Sequence, residues 1–138
     1  MSAKSSRLWV AAGIAASMLV IGMPARSGTH IVDIQGKTFM PREEIIGVGD
    51  TIEWRHNDGG ELHSVTADDG SFDSHPSCGP SSTGDCMKAG EVFKHTFKQE
   101  GRYQYFSKLH GAPGRQGMAG AIVVVAKSGA SSSTSSTR

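Results

Sequence analysis

Short apolar runs with a period of two, separated by glycine, set the strongest limit on what this chain can fold into. Val32 and Ile34, Ile52 and Trp54, Val65 and Ala67, Phe93 with His95 and Phe97, and Tyr103 with Tyr105 all alternate. Alternation sends every second side chain to the same face of a strand, so one face of each run can be buried. No stretch keeps a helical period over three turns, and many of the 18 glycines fall between the runs. The pattern predicts an all-β chain, a Greek-key β-sandwich of seven or eight strands. Ala121 to Ala126 reads as a last strand buried on both faces, and Gly101-x-Tyr103 as a tyrosine corner.

The two ends stand outside this pattern. Lys4 and Arg7 precede an uncharged apolar run from Leu8 to Met23, too short for the roughly 20 residues of a membrane span but right for a secretory signal peptide. Cleavage after Ala25 or after Ser27 both fit, and an uncleaved N-terminal anchor is the alternative. Residues 1–27 are therefore read as a leader, residues 28–126 as one domain, and the Ser/Thr-rich stretch 127–138 as a disordered tail with nothing to bury. The expected location is the periplasm or the exterior, with no membrane span in the mature chain. Loss of Lys4, Arg7 and Arg26 leaves eleven basic against thirteen acidic residues, a charge of about −2. No basic patch is left to hold nucleic acid, and a monomer is expected.

Between Asp73 and Gly90 a turn-rich loop interrupts the strand order and carries both cysteines, Cys78 and Cys86. In an exported chain the simplest reading is a disulfide, which would constrain the unfolded chain by up to ~2.6 kcal/mol. A metal pair is the alternative, although the spacing fits neither a zinc knuckle nor a redox Cys-x-x-Cys.

Several segments taken in order resemble one family. Ile31 to Met40 with Pro41, Gly49-Asp-Thr-Ile-Glu-Trp54, Asn57 and Asp58 ahead of His63, Phe93 to Phe97, and Tyr103-Gln-Tyr-Phe-Ser107-Lys-Leu-His110 followed by Met118-Ala-Gly120 are similar in order and spacing to the cupredoxins, the plastocyanin and pseudoazurin branch in particular. The resemblance implies a cupredoxin-like sandwich holding one copper ion that cycles between Cu(I) and Cu(II). It places His63, Ser107, His110 and Met118 at the ligand positions. Ser107 stands where the family has its sulfur ligand, three residues before the second His. Seven residues separate His110 from Met118, more than in plastocyanin-like loops, which predicts a looser hinge; a core gap-filler is the alternative role for Met118. His30, His56, His75 and His95 have no such positional support and are expected to be solvated, or in the case of His95 paired within a strand.

A blue-copper centre uses two imidazoles, a thiolate and a weak axial thioether. A serine hydroxyl is a weak, hard donor by comparison, so two arrangements stay open: Cu(II) on the imidazoles with water or the Ser107 oxygen, or Cu(I) in a His-His-Met set. The implied function is electron transfer between exported redox partner proteins through this altered site. Copper storage or delivery with copper-handling proteins, and a metal-free interaction module, are the alternatives. No Ser-His-Asp order, carboxylate pair or phosphate loop marks an enzyme.

Overall fold

The computed structural model describes residues 25–127. The apolar leader run Leu8–Met23 and the tail beyond Lys127 lie outside the described residues. Among the described residues, eight strands form two four-stranded sheets: β1 (Thr29–Gln35), β2 (Thr38–Met40), β3 (Glu43–Gly47), β4 (Thr51–His56), β5 (Thr66–Ala67), β6 (Val92–Thr96), β7 (Gly101–Ala112) and β8 (Gln116–Val125). The first sheet runs β2-β1-β4-β6 and the second β3-β8-β7-β5. This is the all-β sandwich that the alternation predicts.

The two sheets meet through the inward row of each strand. Val32 and Ile34 of β1, Ile52 and Trp54 of β4, Tyr105 of β7 and Ile122 and Val124 of β8 are all buried. Trp54 is the hub: its ring lies 5.4 Å from Tyr105 in the facing sheet and 5.5 Å from both Phe72 and Phe93. Edge-to-face and offset contacts of this kind add about 0.5–1.5 kcal/mol each to the burial itself. Tyr103 donates its hydroxyl to the Gln99 carbonyl at 3.1 Å, closing the corner that leads into β7. The two-faced burial expected of Ala121 to Ala126 holds at Ala121, Ile122 and Val124, with Val123 half-buried, but Val125 and Ala126 are exposed and the strand ends at Val125; burial instead reaches back to Met118.

The antiparallel pairs are β1·β2, β4·β6, β5·β7 and β7·β8. Two pairs are parallel: β1 with β4, and β3 with β8, where Glu43 to Gly47 run beside Ala121 to Val125. Asp50, just ahead of β4, ties the ends of the domain together. It is 5% exposed and accepts the N–H groups of Gly28 at 2.6 Å and Gly47 at 2.9 Å, together with the Lys127 ammonium. The cysteine loop is closed by a Cys78–Cys86 disulfide, as the sequence predicts, with a single 3-10 turn at Thr83–Asp85 inside it.

Candidate metal centre

Beyond β4 the chain leaves the sheet, turns through residues 57–62 and re-enters at His63. There it meets the cysteine loop in one antiparallel bridge: His63 N–H donates to the Met87 carbonyl at 3.1 Å, and Met87 N–H returns the bond at 2.8 Å. The His63 side chain has no exposed surface, and neither ring nitrogen has a hydrogen-bond partner. Burial, reinforced by the neighbouring His56 and His110 charges, pulls its pKa down to about 4. Near neutral pH the ring is uncharged and offers a lone pair.

An irregular stretch between β7 and β8 assembles the other candidates. Phe106 pairs with Ala119 and Gly111 with Gly117, so the four residues from Ser107 to His110 face a single residue on the other strand, Met118. That excess makes β7 bulge, as an extra residue does wherever it is forced into a ladder. Ser107 and His110 therefore leave the chain close to Met118. The His110 ring centroid lies 5.1 Å from that of His63. Its Nε2 faces the Leu62 carbonyl at 3.2 Å and the Glu61 carboxylate at 3.3 Å. With two acceptors before it, Nε2 carries the proton, which leaves Nδ1 as the lone pair, the usual effect of such partners on a ligating His. Ser107 is fully buried and its Oγ accepts the Ser64 N–H at 3.2 Å. Ser64 Oγ in turn accepts the Lys108 N–H at 2.9 Å, so the residue after His63 is stitched to β7 at both Ser107 and Lys108.

Three expectations need correction. The segment between His110 and Met118 is no loose hinge. Its ends pair, Gly111 with Gly117 and Ala112 with Gln116, around a turn with positive φ at Gly114 and Arg115. The two glycines permit this, because a Cβ on Gly111 would lie 2.4 Å from the Met118 carbonyl and one on Gly117 2.4 Å from that of His110. Second, His56 is not solvated: it has no exposed surface, and its Nε2 bonds the Glu61 carbonyl at 2.6 Å. It continues the inward row of Ile52 and Trp54, a signal that alternation carries if followed one step further. Third, His30 is half-buried between Glu44 and Asp50. His95 is paired within a strand as expected, opposite Ile52, with its ring also 4.8 Å from those of Phe72 and Phe97.

The donor set suits copper. His63 presents two buried, unsatisfied nitrogens, a cost of about 1–3 kcal/mol for each such group unless something fills it. Two imidazoles suit both copper oxidation states, and a buried thioether at Met118 suits Cu(I). A hydroxyl at position 107, already accepting an N–H, adds little donor strength.

The family model described as copper binding proteins, plastocyanin/azurin family, matches residues 29–125. No curated protein matches the chain. Among solved structures, an oxidized methionine-to-leucine mutant of amicyanin is 26% identical, with 69% of this chain and 80% of that one covered and a TM-score of 0.50. A reduced tryptophan-to-tyrosine mutant of amicyanin is 24% identical over 74% of this chain and 87% of that one, with a TM-score of 0.51. The Cu-containing nitrite reductase (NirK) from Thermus scotoductus SA-01 is 24% identical over 70% of this chain, with a TM-score of 0.55, and this chain spans 22% of it. These last two likenesses concern the fold.

Proposed function

Since the chain belongs to the plastocyanin/azurin family of copper-binding proteins and its cofactor is copper, we propose that it is an exported one-electron carrier whose single ion is held by His63, His110 and Met118, with Ser107 at the fourth position. Bound there, copper supplies a Cu(I)/Cu(II) couple. The observation that carries this reading is the β7/β8 bulge, which sets Ser107 through His110 opposite Met118 alone while the His63 ring stands 5.1 Å from that of His110.

The residues divide the work. His63, fully buried, anchors the ion from the inner side with a ring kept neutral by its surroundings. His110, with its side chain 18% exposed, is the one of the four that reaches solvent, and a partner would exchange electrons across its edge. Met118 shields the site from the core side. Export is supported by the charged start and uncharged apolar run of residues 4–23, and by the disulfide, a bond rare outside oxidising compartments.

A second reading, copper storage or delivery, is favoured by Ser107. Without a thiolate the ion is held less tightly and passed on more readily. Electron paramagnetic resonance and visible spectra of the protein with one equivalent of Cu(II), followed by voltammetry, separate the two. A reversible couple with fast exchange supports the carrier. Uptake with slow, irreversible reduction supports delivery, and no uptake at all refutes both.

A further inference from the structure

Beside this centre lies a second set of donors. We propose that His56, Asp58 and His63 form a site for a divalent ion of the Zn(II) kind, sharing His63 with the copper ligands. One ligand atom from each of the three residues lies within 4.8 Å of the others, and the rings of His56 and His63 stand 4.9 Å apart.

The argument rests on buried polar groups left without a hydrogen bond. Among the described residues, five of the eight buried side-chain nitrogens and oxygens without a hydrogen bond belong to one short stretch: His56 Nδ1, Asp58 Oδ1, both nitrogens of His63, and Glu61 Oε2, which has only the His110 Nε2 contact at 3.3 Å. Buried polar groups are nearly always paired, so such a concentration points to something that belongs among them. His56 shows what it is. Its Nε2 donates to the Glu61 carbonyl at 2.6 Å, which leaves a lone pair on Nδ1. That lone pair faces Asp58 Oδ1 at 3.3 Å. Two acceptors turned toward each other, with a third on His63 close by, are the surroundings of a cation.

The chemistry selects its class. Two imidazoles and a carboxylate suit Zn(II) or Cu(II) and contain no soft sulfur to favour Cu(I). A separation of 3.3 Å is close to the ligand–ligand edge of a tetrahedron with arms of ~2.0–2.1 Å. The ligands are also held as metal ligands usually are. His56 is oriented by a carbonyl on its far nitrogen, and Asp58 Oδ2 accepts the Gly36 N–H.

Sharing His63 has a consequence. A neutral imidazole has one lone pair, so His63 serves the His56 side or the His110 side but not both. Occupation by Zn(II) therefore excludes Cu(I) from the neighbouring set. The inference stands on the His56–His63 stretch alone and does not require the protein to carry electrons.

The test is calorimetric titration of the metal-free protein with Zn(II), alongside Asp58→Asn, His56→Gln and His110→Ala. Wild type should bind one Zn(II), and each of the first two variants should lose at least about tenfold in affinity. His110→Ala should stay within about threefold of wild type, well under the tenfold change that marks a lost contact. Asp58 is half-buried at a loop, so its variant keeps the fold even if His56→Gln does not. Side-chain nitrogen resonances of His56 should shift on Zn(II) addition in wild type, and pre-loaded Zn(II) should slow Cu(I) uptake. Loss of Zn(II) binding in His110→Ala with none in Asp58→Asn would place the ion in the copper set and overturn the proposal. Failure of wild type to bind Zn(II) would overturn it as well.

Discussion

Ser107 accepts the backbone N–H of Ser64 through its hydroxyl at 3.2 Å. The residue at the family's sulfur-ligand position is thus fastened to the neighbour of His63. Ser107→Cys should therefore convert the protein into a blue copper protein with an intense sulfur-to-copper band. The side chains are nearly isosteric, so the thermal midpoint should move little. Peptide mapping must first verify the Cys78–Cys86 bridge. A correctly bridged variant that takes up Cu(II) without the band would show that position 107 faces away from the metal.

Without a thiolate the imidazoles supply most of the affinity. His63→Ala and His110→Ala should each weaken Cu(II) binding by about two orders of magnitude or more, the larger effects seen when ligand support is removed. Met118→Leu should matter more for Cu(I) than for Cu(II), because thioether is the soft donor. Competition titrations with chromogenic chelators give the affinities. Unchanged binding in His110→Ala removes that residue from the centre.

Acid should unfold the metal-free protein partly through His63. Its pKa is about 4 in the folded state against an ordinary 6.5, so between those values the unfolded chain holds more protons. Stability then falls as pH is lowered through that window and is level above it, as far as this group is concerned. Urea midpoints measured from about pH 7.5 down to about 4.5 should trace the fall. In His63→Gln the slope should flatten; an identical slope would mean that another group is responsible.

Gly117→Ala should damage the site without touching a ligand. The new Cβ would meet the His110 carbonyl at 2.4 Å, and φ at this position is +62°. Neither backbone can give without moving His110 or Met118. A cost of about 1–3 kcal/mol in stability is expected from the backbone conformation alone, with copper affinity falling alongside. Gly114→Ala, in open space on the same turn though also at positive φ, is the control and should leave copper affinity close to wild type.

Asp50→Asn tests the clasp at the other end of the sandwich. Burial alone would raise this carboxyl's pKa, but hydrogen bonds from Lys127, Gly28, Gly47 and His30 outweigh it and hold the group well below its ordinary 3.8. Hydrogen bonds to a charged group contribute about 1.5–3 kcal/mol each. Replacing the carboxylate by an amide should therefore lower the unfolding free energy by about 2 kcal/mol at neutral pH. Chemical denaturation reads this directly, and a loss below about 0.5 kcal/mol would mean that the clasp is dispensable.

The sandwich was legible because its inward rows are written at period two in Val32 and Ile34 or Ile52 and Trp54. Pairing partners were not. That β3 lies beside β8 rather than beside its neighbours in sequence depends on how two sheets close on one core, which no local pattern records. The candidates His63, Ser107, His110 and Met118 come from the family's order of ligands, whereas what surrounds each of them is not written in any local pattern. His56 was missed because a histidine ends an otherwise apolar row, and burial of a polar ring needs the Glu61 carbonyl that only the loop provides. The hairpin from Gly111 to Gly117 was hidden because glycine reads as freedom, whereas here it permits close contact.

The parallel pairing of β3 with β8 also orders events in time. Residues Glu43–Gly47 are made early, yet their hydrogen-bonding partner is the last strand of the domain, Ala121–Val125. Until that strand arrives, β3 is an open edge, and the second sheet has no centre to assemble around. A chain emerging from a ribosome or a translocation pore therefore cannot finish this sandwich piece by piece, since contacts of such long sequence separation form late and slowly. The Ser107–His110 bulge is drawn shut by the same strand, so the candidate metal centre comes together only when the whole domain is through.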